Sequence, residues 1–169
     1  HESDGLIIIN DGTIEYAGAY SDGASRLEGC EVKSFPNHLI TPGFIDTHVH
    51  YPQLPIIGAY GAQLIDWLNT YTFVAEQRYD DLEYAGQVSR IFLDELARNG
   101  TTTAAVYCTV HPNSVEAFFQ EAHARRLRMI AGKMLMDRNA PEALQDTAQS
   151  GYDDSLTLLQ KWHEKGRLS

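Results

Sequence analysis

From Gly43 onward the chain alternates between strand-like and helix-like hydrophobic periods, and this alternation limits the fold more than any other feature. Gly43 to His48 reads as a buried strand. The stretch Tyr51 to Gly61 holds two prolines and two glycines, so it reads as a loop, with a short helix expected over Leu64 to Tyr71. Asp80 and Asp81 stand where an N-cap belongs, ahead of Leu82, Ala85, Ser89, Phe92 and Leu96 at helical spacing. Asn99-Gly100 closes that helix. Thr101 to Thr109 predicts a second strand, Ser114 caps a helix running to about Arg126, and Met129 to Met136 predicts a third strand. A last helix is expected from about Asp153 to Lys165, with Gly166 as its stop.

The order β-α-β-α-β-α favours a parallel sheet with right-handed crossovers. Two architectures fit: an open doubly wound sheet, or the opening of a (β/α) barrel. No GxGxxG or GxxxxGK[ST] follows any strand, which removes the main support for a nucleotide-binding open sheet. The expected fold is therefore α/β, the first part of a (β/α)8 TIM-like barrel. A barrel of this kind takes eight strand–helix units over about 250 residues. The pattern supplies three, so the barrel is expected to be incomplete in this chain.

Residues 1–41 have a different texture. Leu6 to Ile9 is a short β-branched run, and Asn10-Asp11-Gly12 is a hairpin signal leading into Thr13 to Gly18. Ala19 to Gly29 reads as a Ser-, Asp- and Gly-containing loop, and Cys30 to Phe35 as a third strand. Such a fragment of sheet rarely stands alone. The expectation is two regions: 1–41 as part of a small β-sandwich-like domain, and 42–169 as the first three units of the barrel.

Composition narrows the partners. Of 169 residues, 43% are hydrophobic and 21% charged, enough apolar material for a packed core. Thirteen basic against twenty-three acidic residues give a net charge of −10. The only basic cluster is Arg125, Arg126 and Arg128, which reads as a solvated surface, so nucleic acid is a poor partner. No apolar run reaches the roughly 18–20 residues of a membrane helix, and His1-Glu2-Ser3-Asp4 lacks the basic start of a signal peptide. Cys30 and Cys108 form no CxxC pair, no disulfide framework is indicated, and a cytoplasmic location is expected. A chain that starts at His1, a few residues before an apolar run, looks like a piece of something longer.

The strongest chemical signal is Asp46-Thr47-His48-Val49-His50. Residues i and i+2 of a strand project on the same side, so His48 and His50 can face one object. Two imidazoles at a strand end suit half of a first-row metal site, and barrel chemistry sits at the C-terminal strand ends. Read alone, seven histidines in the chain also allow that spacing by chance. Asp46 either supports the strand end by hydrogen bonding or is a plain strand-end carboxylate. Trp67 either walls a pocket or belongs to the core of its short helix. Asp137 and Arg138 read as a local ion pair ordering the loop after the third strand. His111 opens a loop, while His123 and His163 read as surface residues of helices, and none of the three reads as a metal ligand.

The stretch Pro42-Gly43-Phe44-Ile45-Asp46-Thr47-His48-Val49-His50 resembles the start of the barrel in the metal-dependent amidohydrolase superfamily. Further segments are similar to its guanine deaminase family: His50-Tyr51-Pro52-Gln53, Gly58-Ala59-Tyr60-Gly61, Asp66 to Phe73, Asn99 to Ala104, and Met136 to Pro141. The resemblance covers nearly the whole chain and is densest from Pro42 to Leu168. It departs at Val74, where a proline is expected, and at Ala62, where an acidic residue is common. It implies zinc-dependent hydrolytic deamination of guanine to xanthine and ammonia, as in purine catabolism. Zinc would be held by His48 and His50 together with later residues, and a proton-shuttling glutamate is expected beyond Ser169. No catalytic acid or base is then expected within the chain.

Tyr51, Pro52, Gln53 and Trp67 are expected to bind the purine. A side-chain amide such as Gln53 offers both donor and acceptor to a heterocycle, though it could instead cap the Pro52–Pro55 turn. The deaminase class built on H-x-E and P-C-x-x-C is excluded by the two isolated cysteines. The other readings are an amidohydrolase acting on a different heterocyclic amine, and a catalytically empty structural fragment. The expected partners are guanine and a second copy of the chain in a homodimer.

Overall fold

The computed structural model describes all 169 residues, in two compact units, His1–Thr41 and Pro42–Ser169. In the first, strands β1 (Gly5–Asn10) and β2 (Thr13–Ala19) pair antiparallel. Asp11 and Gly12, both at positive φ, make the tight turn between them, as the Asn-Asp-Gly signal requires. The stretch after β2 is more ordered than the expected loop. It forms a helical turn, α1 (Tyr20–Gly23), and a 3-10 turn over Ala24–Arg26. The expected strand over Cys30 to Phe35 is absent. Val32 and Phe35 are exposed and meet no strand that could pair with them, so β-propensity alone does not make a strand there.

The second unit is a three-stranded parallel sheet, ordered β3 (Phe44–His50), β4 (Thr101–Tyr107), β5 (Arg128–Gly132). Three strands end differently from expectation. β3 runs on through both histidines, β4 stops at Tyr107, and β5 stops at Gly132 rather than continuing to Met136. Beyond Gly132 the chain is tied down by side chains instead. Asp146 accepts both the Lys133 ammonium, at 2.8 Å, and the Met136 N–H, at 2.9 Å.

A longer helical stretch than expected fills the β3–β4 connection. The 3-10 turn Tyr51–Ile56 opens it. α2 (Leu64–Trp67), a π turn over Leu68–Thr72, α3 (Phe73–Glu76) and a 3-10 turn over Gln77–Asp80 follow without a break. α4 (Leu82–Arg98) starts where the sequence indicates: Asp81 accepts the Glu83 and Tyr84 N–H groups, at 2.9 and 3.3 Å. It ends at Asn99, and Gly100 follows at φ +80°. Its buried stripe is Ala85, Val88, Ser89, Phe92 and Leu93, so the face is rotated slightly from the expected one and Leu82 stays exposed.

α5 (Pro112–Ala124) is capped differently from expectation. Pro112 opens it at the first helical position, and Ser114 lies inside the first turn. There the Ser114 hydroxyl donates to His111 O at 2.7 Å and accepts the Thr109 N–H at 3.0 Å, locking the β4–α5 corner. α6 (Ala148–Trp162) begins earlier than expected because Thr147 and Ser150 form a reciprocal capping box. It also ends earlier, so His163 lies just past the helix and Gly166 in the turn beyond.

The core lies between the sheet and α4, α5 and α6. Ala104, Val106, Cys108 and Met129 meet Val88, Phe92, Leu93, Phe118, Phe119 and Trp162. By strand alternation Tyr107, 38% exposed, lies on the opposite sheet face from Ala104 and Val106. No helix is long and apolar enough to cross a membrane.

A two-histidine candidate metal centre

The C-terminal end of β3 brings His48 and His50 together. Their Nε2 atoms lie 3.3 Å apart, and their ring centroids 5.3 Å. A tetrahedral zinc ion with Zn–N bonds of ~2.05 Å spans its ligand nitrogens by about 3.35 Å. The pair is therefore spaced as two corners of one tetrahedron, and neutral imidazoles are the donor type such an ion takes. Burial, and secondarily the neighbouring His48, lower the pKa of His50, which keeps that ring neutral as ligation requires. No third His, Cys, Asp or Glu joins the pair, so the chain presents half a metal site.

Local backbone chemistry sets this end of the strand. The β3–β4 register breaks between Asp46 and Val49. Within the break the Asp46 carboxylate accepts the His48 N–H at 3.0 Å. The supporting reading of Asp46 is the one the structure bears out. Register then returns, with His50 opposite Tyr107. The Tyr107 ring stacks on His50, centroids 4.7 Å apart at 13°, and lies 4.6 Å from His48. Sequence reading missed Tyr107, because only the register of two strands 57 positions apart brings it to the histidines. Its place at the end of a predicted strand was the one available signal.

Two of the residues expected at the purine lie elsewhere. Tyr51 and Pro52 are fully buried beneath the strand ends. The Tyr51 hydroxyl donates to Ser114 O at 2.7 Å, and its ring packs on Tyr79, Phe92 and Phe118. Burial also raises its pKa well above the ordinary tyrosine value. A tyrosine with its hydroxyl spent and its ring enclosed in the core has no face for a ligand, so these two residues shape the turn instead. Gln53, next in the turn, is half-buried. Trp67 is half-buried and holds the preceding loop: its indole N–H donates to Ala59 O at 3.0 Å, and it lies against Gly61, where any Cβ would collide with it.

The remaining histidines stand away from the pair. His123 and His163 are exposed. His111 caps α5, with Nδ1 3.7 Å from Asp80 and Nε2 buried without a partner. Asp137 and Arg138 do pair, at 3.7 Å, but both are exposed. The Lys133–Asp146 bridge, not this pair, orders the loop. Of the basic cluster, Arg126 and Arg128 are exposed as expected, whereas Arg125 joins Asp94 of α4 to Glu121 of α5.

The amidohydrolase family model matches residues 39–167. The guanine deaminase of Escherichia coli (strain K12) is 51% identical over 166 residues, covering 98% of this chain and 38% of that protein. Its solved structure superposes with a TM-score of 0.93 over 97% of this chain and 38% of its own. A guanine deaminase from C. acetobutylicum, crystallised with guanine in its active site, gives a TM-score of 0.89 at 28% identity, over 98% of this chain and 39% of its own. A zinc-bound adenosine deaminase from Xanthomonas campestris, 16% identical, shares the fold at a TM-score of 0.79, over 98% of this chain and 37% of its own. The chain thus spans well under half the length of each of these relatives.

Proposed function

The chain belongs to the amidohydrolase family, and on that premise we propose that it is the N-terminal part of a zinc-dependent guanine deaminase. The observation that carries the proposal is the 3.3 Å approach of the His48 and His50 Nε2 atoms at the C-terminal end of β3. It stands in a chain whose similarity to guanine deaminases runs nearly end to end. On this reading β3, β4 and β5 are the first three strands of a (β/α)8 barrel, and residues 1–41 are part of a small β-sandwich-like domain. The sheet face carrying Tyr107 would line the barrel interior.

His48 and His50 would hold zinc, completed by ligands from later in the protein. When bound, zinc makes water available as a nucleophile at neutral pH. The chain's own residues supply position. Asp46 fixes the backbone of His48, Tyr107 backs both imidazoles, and Gln53, three residues after His50, offers its amide to the purine edge. Replacing the exocyclic amine of guanine by oxygen yields xanthine and ammonia, and the leaving amine must take up a proton. That transfer is assigned to a glutamate outside these residues. The proposal takes the enzyme to be a cytoplasmic homodimer. Two free thiols, one of them buried, suit a reducing compartment, and sedimentation of the intact protein tests the dimer.

The central test is metal analysis and guanine turnover of a His48→Ala, His50→Ala variant of the intact protein. Loss of both zinc and xanthine production is expected. Full zinc occupancy with unchanged turnover overturns the proposal.

A further inference from the structure

Three strand positions lie side by side at the C-terminal end of the sheet: His50 on β3, Tyr107 on β4 and Gly132 on β5. The row before them, Val49, Val106 and Ala131, packs into the hydrophobic core. Strand alternation therefore turns His50, Tyr107 and Gly132 to the opposite face. The first two carry rings, and those rings stack. The third carries nothing. Gly132 stands about 10 Å from the His50 backbone, two strand spacings away, and a Cβ built on it meets no atom within 4 Å.

The fold gives no local reason for that glycine. Gly18 of β2 and Gly43 ahead of β3 are glycines of necessity, since a Cβ would collide with Tyr16 and with Thr102. Gly132 has no such neighbour, and its φ is not among the positive ones. A glycine inside a strand gives up packing and costs backbone entropy. Its recurrent use there is to let a ligand or another backbone approach the sheet closely. Two residues earlier on the same face, Ile130 does carry a side chain, opposite Ala105. The bare spot is thus confined to the strand end, where barrel chemistry sits.

We propose that Gly132 is a specificity-determining residue: the room it leaves beside Tyr107 receives the imidazole ring of the purine. The inference rests on the guanine deaminase reading, with the sheet face that carries Tyr107 lining the barrel. Guanine bears its exocyclic amine on the six-membered ring. With that ring at the His48–His50 pair, the fused imidazole ring projects away from it, past Tyr107 and toward β5. A side chain at this position would fill the same space, so glycine admits a two-ring base where a larger residue admits only one ring.

The test inserts side chains of rising size, Gly132→Ala and Gly132→Val, in the intact, zinc-loaded protein. Kinetics are read with guanine and with isocytosine, the same six-membered ring without the imidazole, as substrate or as competitive inhibitor. Zinc content and Tm are read beside them. Gly132→Ala is expected to lower kcat/KM for guanine about tenfold and Gly132→Val about a hundredfold, mostly through KM. Zinc content and Tm should hold, and the constants for isocytosine should stay within about threefold. If the valine variant does not fold, the alanine variant carries the same comparison. Equal losses on both compounds overturn the inference, as does a fall in Tm with both variants, since either marks the position as one of packing. Unchanged kcat/KM for guanine in the zinc-replete variants overturns it too, and leaves the guanine reading standing. A parent protein that releases no xanthine from guanine removes both.

Discussion

The Tyr107 ring lies nearly parallel to the His50 imidazole, with centroids 4.7 Å apart and planes within 13°. Neither residue is near the other in sequence, and the phenol hydroxyl takes no part in the stacking. The ring acts as a flat stop that prevents the imidazole from rotating out of line with His48.

Tyr107 should therefore matter to metal affinity through its ring and not its hydroxyl. Tyr107→Phe in the intact protein is expected to bind zinc as the parent does. Tyr107→Ala should bind it about tenfold more weakly, the lower end of what supporting residues around metal ligands contribute. Competition against a chelator measures both, and equal affinity of the alanine variant would refute the role.

Asp46 is expected to act through the backbone. Asp46→Ala hands the exposed His48 N–H to water, at a cost of about 0.5–1 kcal/mol, and is expected to loosen zinc binding. Asp46→Asn keeps an acceptor oxygen and should recover most of both. Denaturant unfolding with parallel metal titration reads the two effects. Identical behaviour of Ala and Asn variants would show that the hydrogen bond is incidental.

Glu76 gives stability a pH dependence of defined sign. Its carboxyl sits at about 7 in the folded protein, against about 4.3 in an unfolded chain. The folded state binds that proton more tightly, so the contribution is full below about pH 4 and is lost as pH rises through 7. Between about pH 5 and about pH 8 the parent should lose up to roughly 3 kcal/mol relative to Glu76→Gln. Urea unfolding at several pH values tests this, and parallel stability profiles for the two proteins would refute it.

The Lys133 ammonium is fully buried, 2.8 Å from Asp146 and 3.6 Å from Asp154. Removing one partner leaves a charge enclosed without compensation, so Lys133→Met should cost about 3 kcal/mol or more. Adding Asp146→Asn should return part of that loss. A single variant as stable as the parent would show that the bridge contributes nothing.

The 169-residue chain expressed alone should turn over no guanine and release zinc to a mild chelator. It offers two imidazoles and no third ligand, where a catalytic zinc site takes three protein ligands. Guanine turnover near the rate of the intact protein would contradict this.

What could be read from the sequence was local. The Asp81 cap, the Asn99-Gly100 stop and the Asp11-Gly12 turn each depend on a few adjacent residues, and each lies where the pattern puts it. His48 and His50 were legible for the same reason, since two positions of one strand fix their common side. Features that depend on distant contacts were not. The resemblance carried by His50-Tyr51-Pro52-Gln53 puts Tyr51 at the substrate, yet its hydroxyl finds Ser114, 63 positions away, and the ring goes to the core. The start of α6 was hidden because its capping box uses Ser150 where glutamate or glutamine is the usual signal. Glu76 carried no signal of its own; its burial appears only where α3 packs on the turn Tyr51–Ile56.

Because the β3–β4 ladder is interrupted between Asp46 and Val49, the stretch that carries the two histidines is partly uncoupled from the sheet that supports it. The hydrophobic core closes without either histidine. On the proposed reading the fold would therefore not depend on the ion, unlike small zinc modules, which are unfolded without it.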